Sequence, residues 1–134
     1  TIIGETEKLE AKKVTRVIAC AGKVYYDLVA ARKERKLENI AILRVEQLYP
    51  FDDKRFDEEL SKFPNAKELV WCQEEPLNQG AWYAKAHRLQ VALKKGQTLH
   101  VVARPAAAAP AVGYLAKHVE QQKALLEEAL GKLN

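Results

Sequence analysis

Four short apolar runs, each followed by a stretch with helical spacing, constrain the fold of this chain more than any other feature. The runs are Val14 to Cys20, Ile40 to Val45, Leu69 to Gln73 and Thr98 to Ala103. Their apolar and partly β-branched character is typical of strands buried on both faces. Strands that alternate with helices predict an α/β fold, here three layers (α/β/α) around a mostly parallel sheet.

Between and after these strands, apolar residues recur at steps of three and four, as on the buried face of a helix. Asp52 or Asp53 can cap the second helix, which runs towards Lys62, and Gly96 ends the third. The apolar stripes of the other three helices are Val24, Tyr25, Leu28 and Val29, then Trp82, Ala86, Leu89 and Leu93, then Val112, Leu115, Val119, Leu126 and Leu130.

The ends of the chain suggest how the domain is organised. Thr1 to Lys13 carries three acids and three lysines around few apolar residues, so we expect residues 1–13 to be a lead-in or linker and residues 14–134 to form the domain. The sequence contains no methionine and starts at Thr1, from which we expect processing or excision from a longer polypeptide.

Size and charge narrow the class of protein. A chain of 134 residues fits one domain, and it needs no disulfide framework. The 22 basic and 18 acidic residues are interspersed, which argues against a nucleic-acid partner. The longest apolar or small stretch, Pro105 to Gly113, is far shorter than the roughly 20 residues of a membrane helix. We therefore expect a soluble, intracellular protein without a membrane partner.

The cysteines and histidines do not form a recognisable metal site. Cys20 and Cys72 lie in apolar strands, where a thiol is usually a small core side chain. His87, His100 and His118 lack the spacing of metal ligands, so we expect no metal and interpret them as partly exposed polar residues.

The loops after parallel strands gather at one edge of the sheet, where ligands tend to bind. Gly22 and Lys23 at a strand-to-helix turn can bind an anion, although glycine is also what a tight turn requires. Glu74 and Glu75 invite an acid/base role, but neighbours in an extended segment point to opposite sides. Two separate tasks, such as a cap and an ion pair, are the better interpretation.

The run from Trp71 to Trp82 combines two tryptophans with several hydrogen-bonding side chains. This combination is typical of a protein interface, and the alternative is a rigid loop that closes its own domain. The candidate interface residues are Trp71, Glu74, Glu75, Asn78, Gln79 and Trp82.

Four motifs in order resemble one known family: Cys20 to Leu28, Arg44 to Phe51, Trp71 to Trp82, and Arg104 to Gly113. They closely resemble the C-terminal domain of the decarboxylating component of 2-oxoglutarate dehydrogenase. The resemblance covers the chain from Val14 to its end and implies a fold like the transketolase C-terminal domain.

The resemblance implies a parent enzyme that is a homodimer and uses thiamine diphosphate with magnesium. In that family the enzyme acts in the tricarboxylic acid cycle, decarboxylating 2-oxoglutarate and passing the succinyl group to a lipoyl arm of dihydrolipoyl succinyltransferase. A GDG motif in another domain holds the cofactor, and this sequence has none. The domain alone is therefore expected to be inactive, without catalytic residues, and to support dimer assembly and packing on the rest of the parent chain. The compartment implied is the bacterial cytoplasm or the mitochondrial matrix.

Some family members also bind a regulatory nucleotide or acetyl-coenzyme A in this region. The resemblance points to Lys23, Arg44 and Arg104 for an anionic effector, with Gln47 and Gln73 as hydrogen-bonding neighbours. Alanine stands here where the family commonly has serine or glycine, which puts hydroxyl-mediated contacts in doubt; these positions are Ala21, Ala103, Ala107 and Ala109 within the stretch from Ala103 to Pro110.

Three interpretations remain open. The chain is a domain of a thiamine-dependent enzyme, an autonomous regulatory module that binds nucleotides, or a plain interaction module. The alternative to effector binding is that Arg44 and Arg104 pair with Glu46, Glu74 or Glu75 as structural or interdomain bridges.

Overall fold

The computed structural model describes residues 1–46, 50–105 and 114–133, with the backbone only at residues 83 and 114–116. These residues form five strands and four helices, which alternate from the second strand onwards, and a short 3-10 turn at Ala11–Lys13 precedes that strand. The strands are β1 (Ile2–Ile3), β2 (Arg16–Cys20), β3 (Ile40–Val45), β4 (Glu68–Pro76) and β5 (Thr98–Arg104). The helices are α1 (Val24–Glu34), α2 (Asp53–Leu60), α3 (Gly80–Ala92) and α4 (Tyr114–Leu130).

The sheet has the order β1-β3-β2-β4-β5, and all pairs except β1 with β3 are parallel. The predicted α/β fold with a mostly parallel sheet is confirmed. Residues of α2 and α3 pack on one face of the sheet, and residues of α1 and α4 pack on the other. Each central strand is buried on both faces because both helical layers cover it, which explains its continuous apolar sequence.

The predicted helix cap at Asp52 is confirmed, because its side chain accepts a hydrogen bond of 3.0 Å from Arg55 N. The predicted helix end near Lys62 is two residues too late, since α2 ends at Leu60. Tyr49, within the motif from Arg44 to Phe51, and Val112, where the last predicted stripe starts, lie outside the described residues. No helix among the described residues is long and apolar enough to cross a membrane.

The structure differs from the sequence expectation at residues 1–13. Ile2–Ile3 pairs antiparallel with β3, and the carboxylate of Glu5 binds the guanidinium of Arg32, with 2.9 Å between Glu5 Oε2 and Arg32 Nη2. Glu5 also accepts a 2.7 Å hydrogen bond from Ile42 N. Both side chains of this ion pair are buried, so the segment expected as a lead-in is fastened to the sheet and to α1. The domain boundary at residue 14 stays a prediction.

A second difference concerns β4, which continues to Pro76 instead of ending at Gln73. The pairing of β4 with β5 is irregular between Cys72 and Pro76. Glu74 and Glu75 therefore belong to the strand, and they do point differently: Glu74 is half-buried and Glu75 is exposed. This extension carries charged residues to the carboxyl edge of the sheet.

Candidate functional site at the carboxyl edge of the sheet

Three of the predicted site residues meet where β2, β4 and β5 end. Glu74 Oε2 lies 3.8 Å from Lys23 Nζ and 3.8 Å from Arg104 Nη2. The Lys23 side chain is 79% exposed, whereas those of Glu74 and Arg104 are 17% and 11% exposed. The half-buried carboxylate of Glu74 therefore lies between two cations.

The contacts of Arg104 continue onto the helices. Its Nη1 donates to His118 Nδ1 at 2.6 Å, and its Nη2 donates to Gln122 Oε1. Gln122 Nε2 in turn donates to Asp27 Oδ2 at 2.8 Å, which links α4 to α1. We call this set the polar chain; its members are Lys23, Glu74, Arg104, His118, Gln122 and Asp27. Arg104 Nε is buried and has no hydrogen-bond partner among the described residues.

Arg44 lies apart from the polar chain, on β3. Its Nε is 3.0 Å from Glu46 Oε1, and its Nη1 donates to the Tyr26 hydroxyl at 2.8 Å. The guanidinium carbon also lies 4.9 Å from the ring centroid of Tyr26 and 5.3 Å from that of Tyr25, within cation–π range. No contact joins Arg44 to Lys23 or Arg104 within the described residues. Both arginines therefore form the bridges given above as the alternative to effector binding. Arg44 pairs with Glu46, and Arg104 pairs with Glu74.

Gln73 organises the turn that follows β4. Its buried amide accepts hydrogen bonds from Trp71 Nε1 at 3.0 Å and Trp82 N at 2.9 Å. It donates to the carbonyl oxygens of Glu75, Pro76 and Gln79 at 3.1, 2.9 and 2.8 Å. Because Oε1 and Nε2 are both engaged in hydrogen bonds within the chain, Gln73 has no free polar group for a ligand in this conformation.

The candidate interface residues divide into two groups. Trp71 is 1% exposed, which favours internal closure for this side chain. Asn78, Gln79 and Glu75 are exposed, and Trp82 is half-buried at the side of a cleft of about 700 Å³. The outer surface of the turn therefore combines polar side chains with the half-exposed Leu77, and the buried Trp71 lies beneath it.

Gly80 is required where this turn enters α3. Its φ is +69°, and a Cβ added there would lie 2.8 Å from Glu75 Oε2. The left-handed backbone disfavours larger residues, and so do Glu75 Cβ and Gln73 Oε1, which would lie 3.1 and 3.2 Å from the added Cβ.

The two thiols lie in the part of the core between the sheet and helices α1 and α4. Cys20 and Cys72 are register partners on β2 and β4, and both are buried. Burial raises the pKa of Cys20 to about 12, with a smaller opposing effect of Arg44, and burial also raises the pKa of Cys72. They are core side chains, since a thiol that stays protonated is a poor nucleophile and a poor metal ligand.

Two of the predicted positions, Gln47 and the stretch from Ala106 to Ala109, lie outside the described residues. Sequence reasoning missed Tyr26, Asp27 and Gln122 as partners of the arginines. No local pattern signals them, because Gln122 and Asp27 are 95 residues apart along the chain.

The order of strands, the antiparallel edge strand and the charged carboxyl edge define a transketolase-like α/β domain. A solved split-gene transketolase, described as an inactive beta4 tetramer, has the same fold with a TM-score of 0.59 and 17% identity, over 87% of this chain and 39% of that one. The chain belongs to the 2-oxoglutarate dehydrogenase C-terminal family, which matches residues 1–130.

Three bacterial relatives carry the same assignment. The 2-oxoglutarate dehydrogenase E1 components of Cupriavidus necator, Coxiella burnetii and Haemophilus influenzae are 58%, 54% and 48% identical to this chain, over 99%, 96% and 97% of it. The chain spans 14% of the length of each of these relatives. It therefore corresponds to one domain of a much longer protein.

Proposed function

We propose that this domain completes a thiamine-diphosphate-dependent E1 enzyme that decarboxylates 2-oxoglutarate. The parent would transfer the succinyl group to a lipoyl arm of dihydrolipoyl succinyltransferase and, in a bacterium, would lie in the cytoplasm. Support comes from the family match over residues 1–130 and from relatives named E1 component that are about seven times longer than this chain.

The residues of this chain do not fit the cofactor itself. The sequence contains no GDG motif, and the described residues contain no group of three or more metal-binding side chains. Thiamine diphosphate and magnesium are accordingly assigned to the rest of the parent chain, and no catalytic step is assigned to this domain.

The role proposed for the domain is packing against the rest of the parent and its homodimer partner. The observation that carries this role is the turn after β4, which Gln73 holds rigid from inside while Leu77 at its tip is 50% exposed. A rigid turn with an exposed apolar tip can be buried without loss of conformational entropy, which favours assembly.

A chimaera tests this proposal. The C-terminal domain of the Cupriavidus necator E1 component is replaced with this chain, and decarboxylation of 2-oxoglutarate and dimer mass are measured. We expect an active dimer, and about tenfold weaker assembly for Leu77→Glu, because a charge would be buried at the contact. Val91→Glu is the matched control, since Val91 is 70% exposed on the outer side of α3.

Two results would contradict the proposal. One is decarboxylation, or binding of thiamine diphosphate with magnesium, by the 134-residue chain alone. The other is equal loss of assembly in the Leu77 and Val91 variants, which would show that the turn has no special part in packing.

A second function, binding of an anionic effector, is supported by one observation. Arg104 Nε is buried without a hydrogen-bond partner among the described residues, and Glu74 Oε2 lies 3.8 Å from both Arg104 Nη2 and the exposed ammonium of Lys23. A phosphate that displaced Glu74 would meet both. Arg44, Gln47 and Gln73 complete the predicted set, although the described contacts of Arg44 and Gln73 are already made within the chain.

Calorimetric titration of the chain with AMP and with acetyl-coenzyme A tests the second function. We expect Lys23→Ala to abolish binding and Lys12→Ala, an exposed lysine far from this edge, to leave it unchanged. No heat at millimolar ligand would refute effector binding by the domain and leave the packing role intact.

A further inference from the structure

The backbone groups of β3 point alternately to its two sides, as in any strand. Asn39 O, just before β3, accepts hydrogen bonds from two backbone amides on the side of β2. On the opposite side, Ile42 N donates to the carboxylate of Glu5, and Glu46 N donates to Thr1 O. The odd-numbered residues of β3 therefore face β2, and the even-numbered residues face outward.

Strand β1 covers only the carboxyl-end half of this outer edge. Its register pairs Ile3 with Arg44, and a hydrogen bond of 2.7 Å joins Glu46 N to Thr1 O. The same register would continue with residue 5 opposite residue 42 and residue 7 opposite residue 40. The strand has already ended at Ile3, so backbone does not cover the outward groups at residues 40 and 42.

Two side chains take the place of the missing backbone partners. Glu5 Oε1 accepts from Ile42 N at 2.7 Å, and Arg32 Nη1 donates to Ile40 O at 3.0 Å. A carboxylate accepts as a carbonyl does, and a guanidinium donates as an amide does. The two side chains also bind each other, with 2.9 Å between Glu5 Oε2 and Arg32 Nη2, and they are 7% and 3% exposed. We call residues 1–6 the strap and this ion pair the latch.

Few other contacts hold the strap to the domain. Of its residues, only Ile2 belongs to the buried core clusters, with 2% of its surface exposed. The latch contributes less than its contacts suggest, because two charges must leave water to form it. Strand β3, in contrast, is paired with β2 from Ile40 to Arg44. The strap can therefore leave the sheet while β2 and β3 stay paired.

We propose that the strap opens and closes as a unit, and that the latch determines how often it is open. Opening uncovers the outward backbone groups of β3. It also releases Arg44 from its pairing with Ile3 and separates Thr6 from the hydroxyl of Tyr25, one of the two rings that the Arg44 guanidinium contacts. The latch thus controls access to the side of the carboxyl edge on which Arg44 lies.

Hydrogen exchange, measured residue by residue on the 134-residue chain, gives the first test. The amides of Ile42, Arg44 and Glu46 face the strap, so they should exchange with one common opening free energy. The amides of Ala41 and Leu43 face β2 and should exchange at least about tenfold more slowly. Alternating protection within one strand is the signature of a strap that opens while the sheet stays intact.

The variant Glu5→Gln tests the latch. It keeps the size of the side chain and an oxygen for Ile42 N, but it leaves the buried guanidinium of Arg32 without its counter-charge. All three outward amides should exchange about a hundredfold faster or more. The informative amide is that of Glu46, which bonds to Thr1 and not to Glu5, because it should accelerate as much as that of Ile42.

Glu10→Gln is the matched control in the same segment. Glu10 pairs with Lys13 in an exposed ion pair, whose side chains are 71% and 69% exposed, so its loss should leave the exchange rates unchanged.

A reversible lock gives the opposite perturbation. Ile2 and Val45 are antiparallel register partners at a position without backbone bonds between them, where the Cα atoms lie close enough for a disulfide. In the double variant Ile2→Cys/Val45→Cys, oxidation should slow all three outward amides at least about tenfold, and reduction should reverse this. The two forms share one sequence, so the packing lost by the substitutions cancels. Because the lock leaves the latch intact, it decides the question even if Glu5→Gln fails to fold.

Three results would overturn the proposal. They are equal protection of outward and inward amides in the unmodified chain, acceleration confined to Ile42 in the Glu5→Gln variant, and outward amides that the disulfide does not slow. The first would mean that the strap leaves the sheet only when the whole domain unfolds. None of these outcomes depends on what the domain assembles with, so they are separate from the test of the proposed function.

Discussion

Replacing Gln73 with leucine is expected to destabilise this domain more than any other single change at the carboxyl edge. Leucine has a similar volume, so the substitution removes the amide without opening a large cavity. Five hydrogen bonds disappear, and Trp71 Nε1 is left as a buried donor without an acceptor. The other four partner groups belong to the backbone of the turn and of Trp82.

The magnitude follows from the separate contributions. Each net hydrogen bond contributes about 1 kcal/mol, and a buried unsatisfied donor costs about 1–3 kcal/mol. Water can reach part of the turn once it loosens, because Leu77, Asn78 and Gln79 are exposed, and it recovers some of this loss. We therefore expect the free energy of unfolding to fall by about 2–4 kcal/mol.

Urea unfolding followed by tryptophan fluorescence measures the effect, since Trp71 and Trp82 both contact Gln73. Gln90→Leu, the same chemical change at an exposed position of α3, is the matched control and should change the free energy by less than about 0.5 kcal/mol. A loss below about 1 kcal/mol for Gln73→Leu would refute the view that this amide holds the turn.

Three further changes are predicted. Gly80→Ala should lower the free energy of unfolding by about 1–3 kcal/mol in urea titrations. Gly96→Ala is the control: its φ is +86° but no atom lies within 4 Å, so only the strain of the left-handed backbone, about 1 kcal/mol, should be lost. Glu5→Ala leaves its buried arginine partner uncompensated and should cost about 3–5 kcal/mol by thermal or urea unfolding; a loss below 1 kcal/mol would mean that the N-terminal segment is not fastened by this pair. Because burial raises the pKa of Cys20 and Cys72 above the ordinary value of 9.0, thiols ionise first in the unfolded chain as the pH rises. The free energy of unfolding should therefore fall from about pH 9 towards pH 12, by less in a variant with alanine at both positions, and equal pH profiles would contradict the assignment.

The central strands could be predicted from the sequence because burial on both faces leaves a continuous apolar run. Ile2–Ile3 gave no such signal, since two residues are too few to show any period and a mostly charged segment follows them from Glu5 onwards. The extension of β4 was missed for a related reason. Gln73, Glu74 and Glu75 look like a loop by composition, and only their hydrogen bonds and ion pairs explain why they continue the strand.

The sequence predicted where the candidate site lies, but it did not predict most of the contacts within the site. The rule that loops gather at the carboxyl ends of parallel strands brought Lys23, Glu74 and Arg104 to one edge. The rule does not say that Arg44 would turn towards Tyr26, or that Arg104 would bind Gln122, because such pairs depend on how α1 and α4 pack. These details belong to tertiary structure and have no counterpart in local sequence.

The contacts of the buried Arg16 at the start of β2 determine how much of the domain must be synthesised before it can fold. Arg16 Nη1 donates to Ala129 O at 2.8 Å and to Gly131 O at 2.7 Å, across 113 and 115 residues. Arg16 opens the strand at the centre of the sheet, and α4, which packs over that strand, follows every other described helix and strand in the sequence. During translation the central strand must therefore wait for nearly the whole domain to leave the ribosome. A chain stalled before residue 129 would keep the Arg16 contact with Glu68 but lack both carbonyl acceptors in its C-terminal region, so the core around β2 is completed only late in synthesis.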